Sequence, residues 1–243
     1  MSRHNLVGVL LVLSLLISLP MVCAQEDGGA PEVVIDEDFE DGMENWWVEG
    51  GEQVWVEDGR MHVKADPPAD GDGLPVVTVW CRTPVQGNVR IEFDAHVINS
   101  RTNVPHINTL LCADPEGTPL FETRDERADA ALPKYQALAG LTFTYYHRDD
   151  DAPPIPHEGQ TARMFIRQGP DPLLLGATHN YHCQPGHTYR VEIIKRDDFV
   201  EYHVDGNYLL GVHVPEPIDE GLLGVRTFRS HVWWDNLKVT ALD

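Results

Sequence analysis

The sequence is poor in basic residues. It carries 18 Lys and Arg against 39 Asp and Glu, which gives a formal net charge of −21 at pH 7. Phosphate binding draws on clustered Lys and Arg, so this balance argues against nucleic acid as a partner. A Gly-rich phosphate loop and a G-x-S-x-G elbow are both missing from the sequence. Their absence argues against nucleotide chemistry and serine-hydrolase chemistry.

Long apolar runs are also missing. The longest run, Leu6–Leu19, covers about 14 residues, fewer than the roughly 20 that a transmembrane helix needs, so no membrane span is predicted. The run follows the basic Arg3 and leads to Val22-Cys23-Ala24, an A-x-A-like cleavage site. This pattern predicts a secretory signal peptide over residues 1–24, a short polar linker over residues 25–32, and a secreted or periplasmic protein.

Cysteine is scarce. After removal of the signal peptide the chain keeps Cys81, Cys112 and Cys183. An odd number of cysteines allows at most one internal disulfide here. Cys81 and Cys112 both fall in predicted strands and are the natural candidates for a pair; the alternative is three buried free thiols. Cys23 at the cleavage site also leaves a lipid-anchored form open.

Alternation of apolar and polar residues recurs along the rest of the chain. Its clearest segments are Val54–Val56, Val76–Cys81, Val89–Val97, Leu141–His147, Tyr189–Lys195, Val200–Asp205, Leu222–Phe228 and His231–Val239. Turn-forming residues separate them, so the pattern predicts many short strands, with a helical turn only within residues 122–138. An all-β sandwich or barrel is the expected result. Neither an internal repeat nor a shift in composition divides residues 33–243, which are predicted to form one domain.

Five stretches carry a resemblance to the YesU-like group of concanavalin A-like proteins. They are Thr78–Arg82, Val89–Val97, Asn108–Asp114, Leu141–Arg148 and Gly224–Asn236. The resemblance implies a two-sheet antiparallel jelly-roll sandwich and a role in polysaccharide use, often of pectin-derived rhamnogalacturonan, without an established reaction. Laminarinase-type glucanases, some polysaccharide lyases and the 3-keto-disaccharide hydrolase domain are similar in outline. The fold carries over from such a resemblance more safely than the chemistry.

The strand Leu141–Arg148 offers the first candidate catalytic residues. If the strand is central, Leu141, Phe143 and Tyr145 face the core, while Tyr146 and Arg148 face outward. Glucanases carry catalytic carboxylates on the comparable strand, and this strand has none, which argues against a two-carboxylate mechanism. Tyr146 instead suits the abstraction of a proton beside a uronate, and Arg148 suits neutralisation of the uronate carboxylate. The alternative is a solvated strand face with a packed tyrosine.

Two arginines follow on a second extended segment. Arg163 and Arg167 are four residues apart, so they share a face, with Phe165 between them and Met164 and Ile166 pointing inward. Arg makes bidentate contacts with carboxylates, so this face fits an anionic sugar. Pairing with a neighbouring Asp or Glu is the simpler alternative.

Further substrate-binding residues are predicted on other strands. Trp80 and Arg82 share a face and form a candidate platform for a sugar ring. Asn108 opens one of the stretches that carry the resemblance and is assigned to substrate binding. Arg226 points outward near the C-terminus, and His231 follows the next turn. A His lies in the comparable turn of the 3-keto-disaccharide hydrolase relatives, so the resemblance implies Arg226 as a substrate-binding residue and His231 as a catalytic one.

Asp235 is the candidate metal ligand. In glucanase-type relatives an Asp on the last strand joins backbone carbonyls to hold a structural calcium ion, so the resemblance implies a calcium site at Asp235. Strict alternation predicts that Asp235 lies on the side opposite Trp234 and shares its side with Leu237 and Val239. The predicted chemistry requires no other cofactor.

Two functional hypotheses follow. The first is an enzyme that acts on an acidic, uronate-containing polysaccharide or its oligosaccharides, by glycoside hydrolysis or by elimination on the concave sheet. The second is a non-catalytic glycan-binding module, which the aromatic and Arg content of the polar faces also fits.

Overall fold

The computed structural model describes residues 31–51, 53–65, 75–100, 106–146, 164–179 and 182–243. The predicted signal peptide and most of the predicted linker lie outside these ranges and stay predictions. Within the described residues there are fifteen strands and one short α-helix, α1 (Leu132–Gln136). The strands are β1 (Val33–Glu37), β2 (Trp46–Gly50), β3 (Gln53–Glu57), β4 (Arg60–Lys64), β5 (Val76–Gln86), β6 (Val89–Ser100), β7 (His106–Ala113), β8 (Ala139–Tyr146), β9 (Met164–Gly169), β10 (Leu173–Thr178), β11 (Thr188–Arg196), β12 (Phe199–Val204), β13 (Asn207–His213), β14 (Glu220–Phe228) and β15 (Ser230–Ala241).

The strands of the described segments pair into two antiparallel sheets. The eight-stranded sheet has the order β13-β12-β11-β6-β15-β4-β3, and β1 pairs with the C-terminal half of β15. The seven-stranded sheet has the order β10-β9-β8-β7-β14-β5-β2. The chain passes repeatedly from one sheet to the other, as a jelly roll requires. The predicted two-sheet antiparallel jelly-roll sandwich is confirmed.

The core lies between the inner faces of the two sheets. On β6 the alternate residues Val89, Ile91, Phe93, Ala95 and Val97 are fully buried, while the residues between them are partly exposed. The two-residue period thus assigns one face of the strand to the core. The same period correctly predicted the inward residues of β8 and β9: Leu141, Phe143, Tyr145, Met164 and Ile166.

A segment that we call the cap, residues 114–138, covers part of the outer face of the seven-stranded sheet. It contains a 3-10 turn at Arg124–Arg127 and helix α1, so the predicted helical turn is confirmed. Leu120, Tyr135 and Leu138 of the cap form a second apolar cluster with Trp47, Trp80 and Leu110 of the sheet. No helix among the described residues combines the length and the apolar character needed to cross a membrane.

The three described cysteines are buried free thiols. Cys81 faces the core between the sheets, whereas Cys112 lies beneath the cap on the other side of the seven-stranded sheet. The two thiols therefore cannot form the disulfide considered from the sequence. The alternative of unpaired thiols is confirmed.

Burial should make these thiols unreactive in the native protein. It raises the pKa of Cys112 from 9.0 to about 12, and burial also raises the pKa of Cys81 and Cys183. We expect a thiol reagent at about pH 8 to modify all three cysteines after unfolding and none before it, because the thiolate is the reactive form. Peptide mass mapping measures this, and rapid native labelling of Cys112 would contradict the structure. Because the folded pKa of Cys112 exceeds the unfolded one, its contribution to stability should fall as the pH rises from 9.0 towards 12.

Candidate functional site

A row of polar residues crosses the outer face of the seven-stranded sheet on its central strands. Arg226 on β14 lies directly opposite Asn108 on β7, and Asn108 lies directly opposite Thr144 on β8. Directly opposed residues bring their Cβ atoms to about 4.5–5.5 Å from one another. Antiparallel pairing therefore brings together three polar side chains that are far apart in the sequence.

A cleft of about 80 Å³ opens over this row, between the sheet and the cap. Its polar lining residues are Asn108, Tyr135, Gln136, Thr142, Thr144, Arg167 and Arg226. The part of the lining that the structure describes contains two arginines and no carboxylate. The described lining is thus positively charged, although the protein as a whole has a formal net charge of −21.

Arg226 forms the floor of the cleft and is only 6% exposed. Its Nη1 donates to Thr78 Oγ1 at 2.7 Å, its Nη2 donates to the carbonyl oxygen of Ala130 in the cap at 2.9 Å, and its Cζ lies 4.4 Å from the centre of the Tyr135 ring. Burial lowers the pKa of Arg226, while Tyr135 and Glu49 act in the opposite direction. A guanidinium group nevertheless keeps its charge in proteins, so Arg226 is a buried cation.

Asn108 carries a polar atom that nothing in the described structure satisfies. The side chain is 7% exposed, lines the cleft, and has no hydrogen-bond partner for its Oδ1 atom among the described residues. A buried acceptor without a donor costs about 1–3 kcal/mol, so such atoms are rare in folded proteins. A ligand with a hydroxyl group would supply the missing donor.

Aromatic rings lie beside the cleft, two residues beyond Asn108 and Thr144 along β7 and β8. Tyr146 on β8 stacks on His106 of β7 with ring centres 5.1 Å apart and planes 7° apart, and its ring also meets Phe165 of β9 edge-on at 5.8 Å. The guanidinium of Arg167 lies 4.0 Å from the centre of the Phe165 ring. Desolvation lowers the pKa of Arg167, and Tyr146 counteracts this effect. Tyr146 and Arg167 thus both contact the ring of Phe165.

A buried carboxylate, Glu49 on β2, ties the cap to the sheet. Its side chain is 1% exposed and forms an ion pair with Arg127 of the cap at 3.1 Å. The indole Nε1 atoms of Trp47 and Trp80 donate to its two oxygens at 3.1 and 2.9 Å, and the Tyr135 hydroxyl donates at 2.5 Å. Burial, together with the charge of Glu49, raises the pKa of the Tyr135 phenol. Glu49 thus joins Arg127 and Tyr135 of the cap to two strands of the sheet.

Sequence reasoning missed Glu49. The one local signal is that Trp47 and Glu49 alternate onto the same face of β2, which places a carboxylate among aromatic residues. Its charged partner, Arg127, is 78 residues further along the chain, and Tyr135 is 86 residues away. Only the folded cap brings these groups together.

The prediction that Trp80 and Arg82 form an exposed sugar platform is wrong for Trp80. Both residues do lie on the outer face, but Trp80 is 0% exposed because Tyr135 of the cap stacks on it at 6.2 Å. Arg82 is exposed and lies 3.9 Å from the centre of the Phe121 ring. It lines a separate groove of about 550 Å³ beside the cap, together with Trp47.

His231 does not join the cleft that contains Arg226, so the prediction that it acts there is wrong. Arg226 belongs to the seven-stranded sheet, but the chain turns at Arg229, where φ is +49°, and enters the other sheet at β15. His231 faces outward from that sheet, where its ring packs against Trp55 and its Nε2 lies 3.2 Å from Nδ1 of His62. The thickness of the sandwich separates it from the cleft.

Alternation correctly predicted that Asp235 lies on the side opposite Trp234, but it was wrong that Leu237 and Val239 share the side of Asp235. Asn236 has a φ of +49°, and the pairing of β15 with β6 shifts register between Asp235 and Lys238. This bulge reverses the alternation, so Trp234 and Leu237 both face the core, and Asp235 faces outward. A carboxylate at this position avoids the apolar surroundings that strict alternation predicted.

Asp235 contacts other protein groups in the described structure. Its Oδ1 accepts from the backbone N–H of Asn236 at 2.6 Å, and its Oδ2 lies 3.8 Å from Nε of Arg60. Calcium is bound by several oxygen ligands, and a second carboxylate, Asp94, lies directly opposite Asp235 on β6. Within the residues that the structure describes, no group of three or more His, Cys, Asp or Glu side chains is arranged to hold a metal ion. Calcium binding stays an untested prediction.

Two predicted site residues, Arg148 and Arg163, lie outside the described residues. Of the others, Asn108, Arg167 and Arg226 line one cleft, and Tyr146 lies beside it. These four residues converge from four strands, β7, β8, β9 and β14.

The fold is shared with several solved structures at low sequence identity. A protein of unknown function with a galectin-like fold from Bacillus subtilis matches with a TM-score of 0.68 and 16% identity, over 86% of this chain and 95% of that one. The carbohydrate binding module CBM66 from Bacillus subtilis matches with a TM-score of 0.55 and 10% identity, over 81% and 96%. The β-glucanase of Bacillus licheniformis matches with a TM-score of 0.55 and 6% identity, over 86% and 98%. At such identities the likeness shows the fold alone.

Comparison at the sequence level points to one family. A comparison with curated proteins gives no match. The family described as a domain of unknown function, DUF6250, matches residues 73–237, a span that contains β5 to β14 and most of β15. Since this match covers more than half of its length, the chain belongs to the DUF6250 family.

Proposed function

We propose that this chain is a carbohydrate-active protein that acts outside the cytoplasm and binds a polysaccharide or oligosaccharide on the outer face of the seven-stranded sheet. The observation that carries the proposal is the unsatisfied Oδ1 atom of Asn108 beside Arg226 in the cleft. A sugar hydroxyl donates to such an acceptor, and its own oxygen accepts from an arginine. Sugars present these groups at high density, so one ligand satisfies both residues.

The comparisons support the same proposal at a coarser level. Two proteins with this fold are a carbohydrate binding module and a β-glucanase. The resemblance to the YesU-like group, which implies the use of pectin-derived polysaccharide, stays a prediction. The secretory signal peptide predicted over residues 1–24 agrees with an extracellular or periplasmic polymer as the partner.

Chemistry on the bound glycan is a second candidate function, favoured by the group beside the cleft. Tyr146 stacks on His106, and Tyr146 and Arg167 both contact the ring of Phe165. A tyrosine or histidine that moves a proton, next to an arginine that neutralises a carboxylate, is a suitable set for elimination beside a uronate. New reducing ends together with ultraviolet absorbance of an unsaturated product would indicate elimination. Reducing ends alone would indicate glycoside hydrolysis, and an intact ligand would indicate binding only.

The binding proposal is tested by replacing Asn108 with leucine. We expect at least a tenfold loss of affinity for a glycan found by screening oligosaccharides, because the acceptor for its hydroxyl is removed. The melting temperature should stay the same or rise, because leucine of similar volume removes a buried unsatisfied atom. Calorimetric titration and thermal melting measure the two effects.

Asn99, which is exposed on β6 of the other sheet, provides the matched control. Asn99→Leu should leave glycan affinity unchanged. If no oligosaccharide binds the wild type, or if Asn108→Leu binds as tightly as the wild type, the proposed site is wrong. A fall in stability without a change in affinity would make Asn108 a structural residue.

A further inference from the structure

We infer that the ligand of this cleft is an acidic sugar, with its carboxylate on Arg226 and a neighbouring hydroxyl on Asn108. The inference rests on the proposed function and names the class of glycan. Two features carry it: the charge of Arg226 lacks a counter-ion, and Asn108 beside it lacks a donor.

Arg226 is unusual because it is a buried cation without a counter-ion of its own. Arg127 and Arg226 are the buried arginines of the described structure, with 4% and 6% exposure. Arg127 has a counter-ion, since Glu49 lies 3.1 Å from it. The hydrogen bonds of Arg226 go instead to the neutral oxygens of Thr78, Ala130 and Tyr135, and no ion pair of Arg226 is found among the described residues.

An uncompensated buried charge is costly, and the environment of Arg226 offsets the cost only in part. The Tyr135 ring contributes a cation–π contact at 4.4 Å. Glu49 is the carboxylate whose charge acts on Arg226, but it is already paired with Arg127. The guanidinium has five N–H donors, and its hydrogen bonds to Thr78, Ala130 and Tyr135 leave some of them unused. A ligand carboxylate would supply both the missing charge and further acceptors.

Asn108 further restricts the chemical class of the ligand. Because it lies directly opposite Arg226, its Oδ1 atom and the guanidinium can contact adjacent substituents of one molecule. Asn108 needs a donor and Arg226 needs an anion, so the matching fragment is a carboxylate next to a hydroxyl group. Uronic and other sugar acids contain this fragment. A neutral sugar satisfies Asn108 but leaves the charge of Arg226 unpaired.

The size of the cleft agrees with a site that holds only the carboxylate and the neighbouring hydroxyl group of the ligand. Sites that enclose a drug-sized ligand have volumes of about 300–1,000 Å³, whereas this cleft has about 80 Å³. It therefore has room for a few water-sized groups, such as a carboxylate and its neighbouring hydroxyl, and not for a whole sugar ring. The rest of the sugar would lie at the mouth of the cleft, near Thr142, Thr144 and Arg167.

The test compares uronic-acid oligosaccharides with their carboxyl-reduced counterparts, which differ only in the acid group. We expect the wild type to bind at least one acidic oligosaccharide at least tenfold more tightly than its reduced form, with a preference that falls as salt is added. Arg226→Gln should abolish the preference, and Arg226→Lys should retain part of it. Arg196→Gln, which changes an exposed arginine on β11 of the other sheet, should leave it unchanged.

Each outcome decides between the two proposals. Equal binding of acidic and reduced forms by the wild type, with a loss in Asn108→Leu, would overturn the acidic-ligand inference and leave the glycan site in place. A preference that survives in Arg226→Gln would overturn the assignment of the carboxylate to Arg226. If neither form binds the wild type, both proposals fail. The wild-type comparison decides the inference even if Arg226→Gln does not fold.

Discussion

Glu49→Gln is expected to lower the free energy of unfolding by about 3–5 kcal/mol, the usual cost of breaking a buried ion pair by removing one partner. Arg127, whose side chain is 5% exposed, would keep its charge without a counter-ion. The amide NH₂ of glutamine would also face donors, because Trp47, Trp80 and Tyr135 all donate to the present carboxylate. For a domain of this size, the melting temperature should fall by about 10 °C.

Glu57→Gln provides the control, because Glu57 makes the same kind of contact in an exposed setting. Its Oε2 accepts from the indole Nε1 of Trp55, two residues before it, at 3.2 Å, just as Glu49 accepts from Trp47. We expect a change within about 0.5 kcal/mol, since Glu57 is exposed. Thermal or urea unfolding of both variants measures the difference. Similar effects in the two variants would show that the buried network around Glu49 does not stabilise the protein.

Gly140→Ala is expected to destabilise the protein by about 3 kcal/mol or more, because it combines backbone strain with a steric clash. Gly140 has a φ of +119°, a conformation that residues with a Cβ atom rarely adopt. A Cβ atom there would lie 2.2 Å from the carbonyl oxygen of Leu111 and 2.9 Å from Cα of Cys112. Both contacts are with the backbone of β7, which cannot move aside as the end of a side chain can.

Gly117→Ala separates the effect of backbone strain from that of the steric clash. Gly117 in the cap has a φ of +82°, but a Cβ atom added there would have nothing within 4 Å. Only the strain remains, so we expect a loss of about 1 kcal/mol. Equilibrium unfolding in urea gives both values, and an equal loss in the two variants would contradict the close approach of β7 and β8 at Gly140.

Local periodicity was sufficient to predict an all-β sandwich or barrel and the direction of most strand residues. Alternation correctly predicted that Leu141, Phe143 and Tyr145 of β8 face the core, and the repeated strands correctly predicted a sandwich or barrel. Period-two patterns are reliable here because burial on one face is the dominant constraint on a strand. The resemblance then chose the jelly roll, which the structure confirms.

The errors arose where the backbone departs from that period. At Asn236 one residue with positive φ forms a bulge, which turns Leu237 and Val239 to the core side instead of the side of Asp235. At Arg229 a second such residue turns the chain into the other sheet and carries His231 away from Arg226. Asn and Arg do not require positive φ, so neither departure is marked in the sequence as a glycine would mark it.

The cap could not be predicted from local patterns either. The outward direction of Trp80 was predicted correctly, but its burial results from Tyr135, 55 residues further along the chain. Asn108 and Arg226 were predicted as binding residues one by one, and only the register of β7 and β14 shows that they are neighbours. Pairing between distant segments depends on tertiary packing, which a single sequence does not display.

The most direct test of the central claim, a glycan site over Asn108 and Arg226, is a crystal structure of the chain with an oligosaccharide that it binds in solution. We expect the sugar on the outer face of the seven-stranded sheet, with a hydroxyl within hydrogen-bond distance of Asn108 Oδ1 and an acidic group at the guanidinium of Arg226. A sugar bound elsewhere, such as the groove lined by Arg82 or the eight-stranded sheet, would contradict the account.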